Sequence, residues 1–224
     1  MSCKLDIIQV GYAHEVEKSK MIASGSCCLV RSGGDKILFD TMGPWEKDKL
    51  VEALNGHKIH PDDINYLVCS HSHPDHIGNN NLFTRAKLHL VGTSVYERDI
   101  YHLDCFEPTG SYSYTTSKGE KIEVITNKDY PINSHARVEP TPGHTLECVT
   151  LFLDNCDNFG SVALAGDLFE RKEDVENEAI WLRAGSQSAD LQRAHRARVY
   201  KRADYIVPGH GDIFQTVSRE SVIF

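Results

Sequence analysis

Short apolar runs bounded by turn residues recur along the chain, with helical periodicity between some of them. Residues 4–10 and 21–30 predict strands, and Ser32-Gly33-Gly34-Asp35 predicts a hairpin turn into a buried strand at 36–40. Leu50, Val51 and Leu54 repeat at helical spacing, so 46–54 predicts a helix that ends near Gly56. Buried strands are expected at 66–69 and 87–91, with a short helix beginning in 76–83. Residues 104–119 are rich in Gly, Ser, Thr and Tyr and predict a long surface loop that shapes a substrate entrance. Further strands are expected at 121–126, 136–139, 146–153, 161–165, 205–207 and 213–217, and helices at 172–182 and 188–202. Two similar halves without linkers predict one α/β domain over residues 1–224.

The chain's 224 residues are enough for one sizeable core. A net charge of −8 argues against a polyanion binder held by bulk charge, so a nucleic-acid role needs a local basic patch or a metal site. No run approaches the length of a membrane span, and the N-terminus lacks the apolar run of a secretory signal. Seven scattered cysteines without a Cys-x-x-Cys pair suit a reducing, intracellular compartment. The twelve histidines change the picture, because imidazole is the commonest metal ligand.

Ser70-His71-Ser72-His73-Pro74-Asp75-His76 follows the strand expected at 66–69. Residues two apart in an extended segment point the same way, so His71 and His73 can face one ion. Asp75 and His76 lie past a proline, where the chain turns, and can face a second. A lone His-x-His is a weak signal; four ligand-type residues within six positions are a strong one. Three more strand ends carry a metal-competent side chain: Thr141-Pro142-Gly143-His144, Ala165-Gly166-Asp167 and Val207-Pro208-Gly209-His210. Together they supply His71, His73 and His144 for one site and Asp75, His76 and His210 for another, with Asp167 able to bridge.

This ordered set resembles the metallo-β-lactamase superfamily over essentially the whole chain, and Asp40 matches that superfamily's first motif aspartate. The resemblance implies a four-layer αβ/βα sandwich with two divalent metal ions, zinc first and iron or manganese as alternatives. Two cations about 3.5–4 Å apart share a water, lower its pKa and direct the resulting hydroxide at an electrophile. Asp75 would orient that hydroxide, and Asp40 would support the chemistry from outside the ligand set by fixing a histidine or the motif turn. Redox members carry glutamate at the place of His73, so His73 favours a hydrolase.

Asp40-Thr-Met-Gly-Pro-Trp45, His76-Ile-Gly-Asn79, Ala165-Gly-Asp-Leu-Phe-Glu-Arg171 and the terminal Val-Pro-Gly-His-Gly also resemble the family of metallo-β-lactamase domain-containing protein 1. That narrower resemblance implies a cytosolic and nuclear, homodimeric endoribonuclease acting on RNA such as histone pre-mRNA. The runner-up is a thioesterase resembling glyoxalase II, or a lactonase; a non-catalytic metal-binding protein is a third reading. Trp45, Tyr112 and Tyr114 are expected to touch substrate, with a simple loop anchor as the alternative for Trp45. Arg193, Arg196, Arg198, Lys201 and Arg202 on the last helix predict a solvated outer face rather than a phosphate track. Cys69 and Cys148 are expected to be small buried hydrophobes.

Overall fold

The computed structural model describes residues 3–116 and 118–217. The two ends of the expected 1–224 domain, and residue 117 of the expected 104–119 loop, lie outside the described residues.

The first half folds as β1 (Lys4–Gln9), β2 (Tyr12–Glu17), β3 (Lys20–Ser24), β4 (Cys27–Ser32), β5 (Asp35–Phe39), α1 (Lys47–Gly56), β6 (Tyr66–Cys69), α2 (Pro74–Ile77), β7 (Leu88–Val91), β8 (Ser94–Glu97) and β9 (Ile100–His102). The second half runs β10 (Pro108–Thr115), β11 (Lys121–Asn127), β12 (Tyr130–Asn133), β13 (Ala136–Pro140), β14 (Val149–Cys156), β15 (Gly160–Gly166), α3 (Ala179–Ala184), α4 (Ala189–Arg202), β16 (Tyr205–Pro208) and β17 (Phe214–Gln215). One seven-stranded sheet has the order β1-β4-β5-β6-β7-β8-β9, and a six-stranded sheet has the order β12-β13-β14-β15-β16-β17. Each is mixed: β5, β6 and β7 are mutually parallel, as are β15 and β16. The hairpin turn at Ser32–Asp35 forms as expected between antiparallel β4 and β5.

Side-chain alternation builds the layers. Cys28, Val30, Ile37, Phe39 and Val68 point from the first sheet into a shared core with Val138, Leu151, Leu153, Val162, Leu164 and Val207 of the second. The opposite faces, Cys27, Leu29, Leu38, Leu67 and Cys69, pack on Leu50 and Leu54 of α1. Phe152, Ala163, Ala165 and Ile206 pack on Val199 and Tyr200 of α4. The order is therefore helix, sheet, sheet, helix, the expected αβ/βα sandwich. Strands buried on both faces read as continuous apolar runs, which is why their positions were legible.

Three expectations are corrected. Residues 108–115 are a strand, β10, paired along its length with β11, and not a loop. Residues 21–30 are two strands, because the chain bends at Gly25-Ser26 to meet the site loops: Gly25 N donates to Asp75 O at 2.9 Å and Ser26 N to Gly209 O at 2.7 Å. The basic helix is a solvated face only in part: Lys201 is exposed and Arg198 and Arg202 are part-exposed, but Arg196 is not. Arg196 is buried against Asp174, Arg198 and Arg202 pair with Glu139, and Arg193 pairs with Glu178 and Asp190. A buried guanidinium needs a partner, and for Arg196 it is Asp174, in the segment after β15. Cys69 and Cys148 are buried, and burial pushes the Cys148 thiol up to about 12.

Candidate metal centre

Four strand ends converge on one edge of the sandwich. Past β6 lie His71 and His73, then Asp75 and His76 on α2; past β13 lies His144; Asp167 follows β15 and His210 follows β16. Pro74 opens α2 at its first turn, where a missing N–H is harmless, so the backbone turns between the two ligand pairs. The ligand atoms of His71, His73, His144 and Asp167 lie within 4.8 Å of one another, and so do those of Asp75, His76 and His210.

His71 Nε2 and His144 Nε2 lie 2.8 Å and 3.0 Å from His73 Nδ1. Asp167 stands between the groups: Oδ2 is 3.4 Å from His144 Nε2 and 3.3 Å from His210 Nε2, and Oδ1 is 3.2 Å from His76 Nε2. Asp75 Oδ2 lies 3.6 Å from His76 Nε2 and 3.7 Å from His210 Nε2. The structure thus brings all seven expected ligands together. The backbone at β16 must approach closely, and only glycine permits it: a Cβ on Gly209 would collide with Asp167 Oδ1.

Asp40 lies outside the two groups. It is fully buried, with φ of 54°, a left-handed conformation that aspartate tolerates better than most residues. Its carboxylate accepts from Ser70 N at 2.7 Å and Ser70 Oγ at 2.9 Å, and faces His76 Nδ1 at 2.8 Å. That contact fixes the His76 ring with Nε2 turned to the centre.

The charges are mutually dependent. Burial alone would raise Asp167, but His76 and His210 outweigh it and hold the carboxyl well below the usual range. Burial alone would lower His210, but Asp167 raises it to about 9. His76 is likewise raised, by Asp167 and Asp40 against its burial. His71 is lowered by burial and by its neighbour His76. A cage in which carboxylates hold protons on imidazoles is one in which a cation can take the protons' place. His76 Nε2 and Asp167 Oδ1, both buried, face each other at 3.2 Å without a well-aligned hydrogen bond, so the donor set fits a cation.

Trp45 stands in the turn before α1 and is 95% exposed, so its ring anchors nothing in the loop. Tyr112 and Tyr114 sit on β10, near Arg198 and Arg193 of α4, rather than among the imidazoles. A cleft of about 310 Å³ opens beside His210, lined by Met21 of β3, Ile180 and Arg183 of α3, and Arg171.

Sequence reasoning missed Glu170, whose carboxylate lies 4.0 Å from His210 Nε2; the Asp167-x-x-Glu170 spacing on the turn after β15 was the available signal. It also missed Ser70, and His195, which is buried in α4.

Residues 23–210 match the metallo-beta-lactamase superfamily. The chain belongs to that superfamily. It is 33% identical over 211 residues to metallo-beta-lactamase domain-containing protein 1 of Xenopus laevis, covering 94% of this chain and 81% of that protein. The mouse protein of the same name is 35% identical over 186 residues, 83% of this chain and 63% of that one. Among solved structures, a quorum-quenching N-acyl homoserine lactone hydrolase is 25% identical with a TM-score of 0.64, covering 99% of this chain and 96% of the other. Members of this metallo-hydrolase superfamily bind two divalent metals, typically zinc, and the two His/Asp groups lie where such ions would bind. Among the described residues, no helix is long and apolar enough to cross a membrane.

Proposed function

We propose that this chain is a dinuclear metal-dependent hydrolase whose substrate is an RNA phosphodiester. The observation that carries the hydrolase reading is the pair of ligand groups sharing the Asp167 carboxylate, which reaches both with 3.2–3.4 Å contacts. His71, His73, His144 and Asp167 would hold one ion; Asp75, His76, His210 and Asp167 would hold the other. Two ions there would acidify a water and polarise the scissile group. Asp75, part-exposed at the rim, is placed to accept a proton from the attacking water and orient it. Asp40 and Ser70 keep His76 and His71 in register. The RNA reading rests on the motif resemblance, and the exposed Trp45 indole and the Arg183 guanidinium in the cleft beside His210 support it by offering stacking and phosphate contacts. On that reading the protein works as a homodimer in cytosol and nucleus.

A second reading, ester or lactone hydrolysis, is favoured by the likeness to the lactone hydrolase and by the apolar side of the cleft, Met21 and Ile180. The deciding experiment offers metal-loaded protein a single-stranded RNA, an N-acyl homoserine lactone and a glutathione thioester in parallel, with Asp75→Ala as control. RNA cleavage lost in Asp75→Ala supports the first reading. Brisk lactone or thioester turnover with intact RNA hands the assignment to the second.

A further inference from the structure

Glu170 sits three residues past Asp167, at the foot of the cleft beside His210. Its side chain is 6% exposed. Oε1 is buried and has no hydrogen-bond partner. Oε2 lies 4.0 Å from His210 Nε2, the ring nitrogen turned inward because Nδ1 is spent on Ser24 O at 3.2 Å. The donor atoms of Asp167, Glu170 and His210 fall within 4.8 Å of one another.

The Glu170 side chain is carried on a fixed stretch of main chain. Its own backbone is fixed at both polar groups: Glu170 N donates to Asp174 Oδ2 at 2.6 Å, and Glu170 O accepts from His210 N at 2.8 Å. A buried carboxylate with an unpartnered oxygen is costly, and the neighbouring Arg171 guanidinium is turned to Glu173 instead. A cation at the centre would give that oxygen a partner.

We infer that Glu170 is a further oxygen donor to the second metal position, beside Asp75, His76, Asp167 and His210. This rests on the two-metal reading above and makes the two positions chemically unequal. The first is three imidazoles and one carboxylate, a set suited to four-coordinate Zn²⁺. The second is two imidazoles and three carboxylates, an oxygen-rich set that accepts harder ions with more ligands, Mn²⁺ or Fe²⁺. The chain would then discriminate against Mn²⁺ at the first position and much less at the second.

The test titrates chelator-stripped protein with Zn²⁺ and with Mn²⁺ by calorimetry, comparing wild type, Glu170→Gln and, as a surface control, Glu173→Gln. Glu170→Gln should bind its first Zn²⁺ as wild type does and its second about 10–100-fold more weakly, with Mn²⁺ binding at the second position lost. Cobalt-loaded Glu170→Gln should absorb visible light more strongly than wild type as the coordination number falls. Glu170→Asp, which keeps the charge but shortens the reach, should also weaken the second equivalent. Circular dichroism confirms folding, and Glu170→Asp serves alone if Glu170→Gln fails to fold. Two ions bound equally by wild type and every folded Glu170 variant would overturn the assignment. A wild type that never takes a second ion would instead overturn the two-metal reading beneath it.

Discussion

Replacing Arg196 tests the claim that α4 is an internal brace. Arg196 Nη2 donates to Asp174 Oδ1 at 2.6 Å and to Asp174 O at 2.9 Å, and Nη1 donates to Leu168 O at 2.7 Å. The guanidinium lies 4.2 Å from the Phe169 ring centroid and 5.3 Å from that of Trp181. The side chains of the pair are 1% and 0% exposed. Arg196→Ala strands the Asp174 charge in the interior, and breaking a buried pair in this way costs about 3–5 kcal/mol. That is a large part of the roughly 5–15 kcal/mol that stabilises a typical protein. At about 2–4 °C per kcal/mol for a chain of this size, Tm should fall by roughly 6–20 °C.

Urea unfolding in the presence of chelator separates this loss from metal binding. A cycle through Asp174→Asn and the double variant should show strong coupling, with the double variant costing clearly less than the two single losses together. Because Leu168 lies in the turn that carries Asp167 and Glu170, and Asp174 closes its far side on Glu170 N, metal affinity should drop with stability. An Arg196→Ala loss below about 1 kcal/mol, the range of an exposed ion pair, would refute the brace.

Three other outcomes follow from the same structure. Burial and the nearby Arg198 lower His195 to about 3, so the unfolded chain binds more protons between there and about 6.5, and stability present above pH 6.5 is lost as pH falls. About 2 kcal/mol should disappear between pH 8 and pH 5, and His195→Asn should flatten that part of the urea-midpoint profile; an unchanged acid limb would count against it. Asp40→Asn should weaken metal binding about 10–100-fold in a calorimetric titration while the circular dichroism spectrum stays native, because Asp40 acts by holding His76. Cys148→Ser should keep hydrolysis of whichever substrate is cleaved and Asp167→Ala should abolish it; equal inactivity would point to a thiolate nucleophile.

How legible the molecule was depended on where each partner lies in the sequence. Strands buried on both faces and the His71–His76 cluster announce themselves locally. β10 does not: its Ser, Thr and Tyr read as polar loop, and the alternation that makes it a strand, with Tyr112 and Tyr114 less exposed than Ser111 and Ser113, emerges only where the ribbon meets α4. β2 fails for a similar reason, being polar and mostly exposed on both faces. Arg196 and His195 occupy buried positions on a helix without a clean apolar stripe, and the partner that settles Arg196, Asp174, lies 22 residues earlier. Glu170 was visible as a residue but not as a donor, since only folding brings it against His210.

The cage is held from outside by groups that would touch no ion. His71 Nδ1 meets Ser70 Oγ at 3.0 Å, His76 Nδ1 meets Asp40 at 2.8 Å, His144 Nδ1 meets Gly185 O at 2.9 Å and His210 Nδ1 meets Ser24 O at 3.2 Å. Each contact engages one ring nitrogen and leaves Nε2 facing inward, so four of the five imidazoles are oriented by the fold itself. The anchors are spread over β3, the end of β5, the end of β6 and the end of α3, so folding of both halves is needed before the donors converge. α4 and the two residues before it add the last clamps: Ser188 N and Gln187 N donate to Gly143 O and His144 O, and Gln192 Nε2 donates to Asp167 O. His73 differs, presenting Nδ1 to its neighbours from a part-exposed position, with no anchor of this kind among the described residues. Metal affinity is then largely a property of the folded sandwich, and His73 is the donor whose orientation the ion itself must complete.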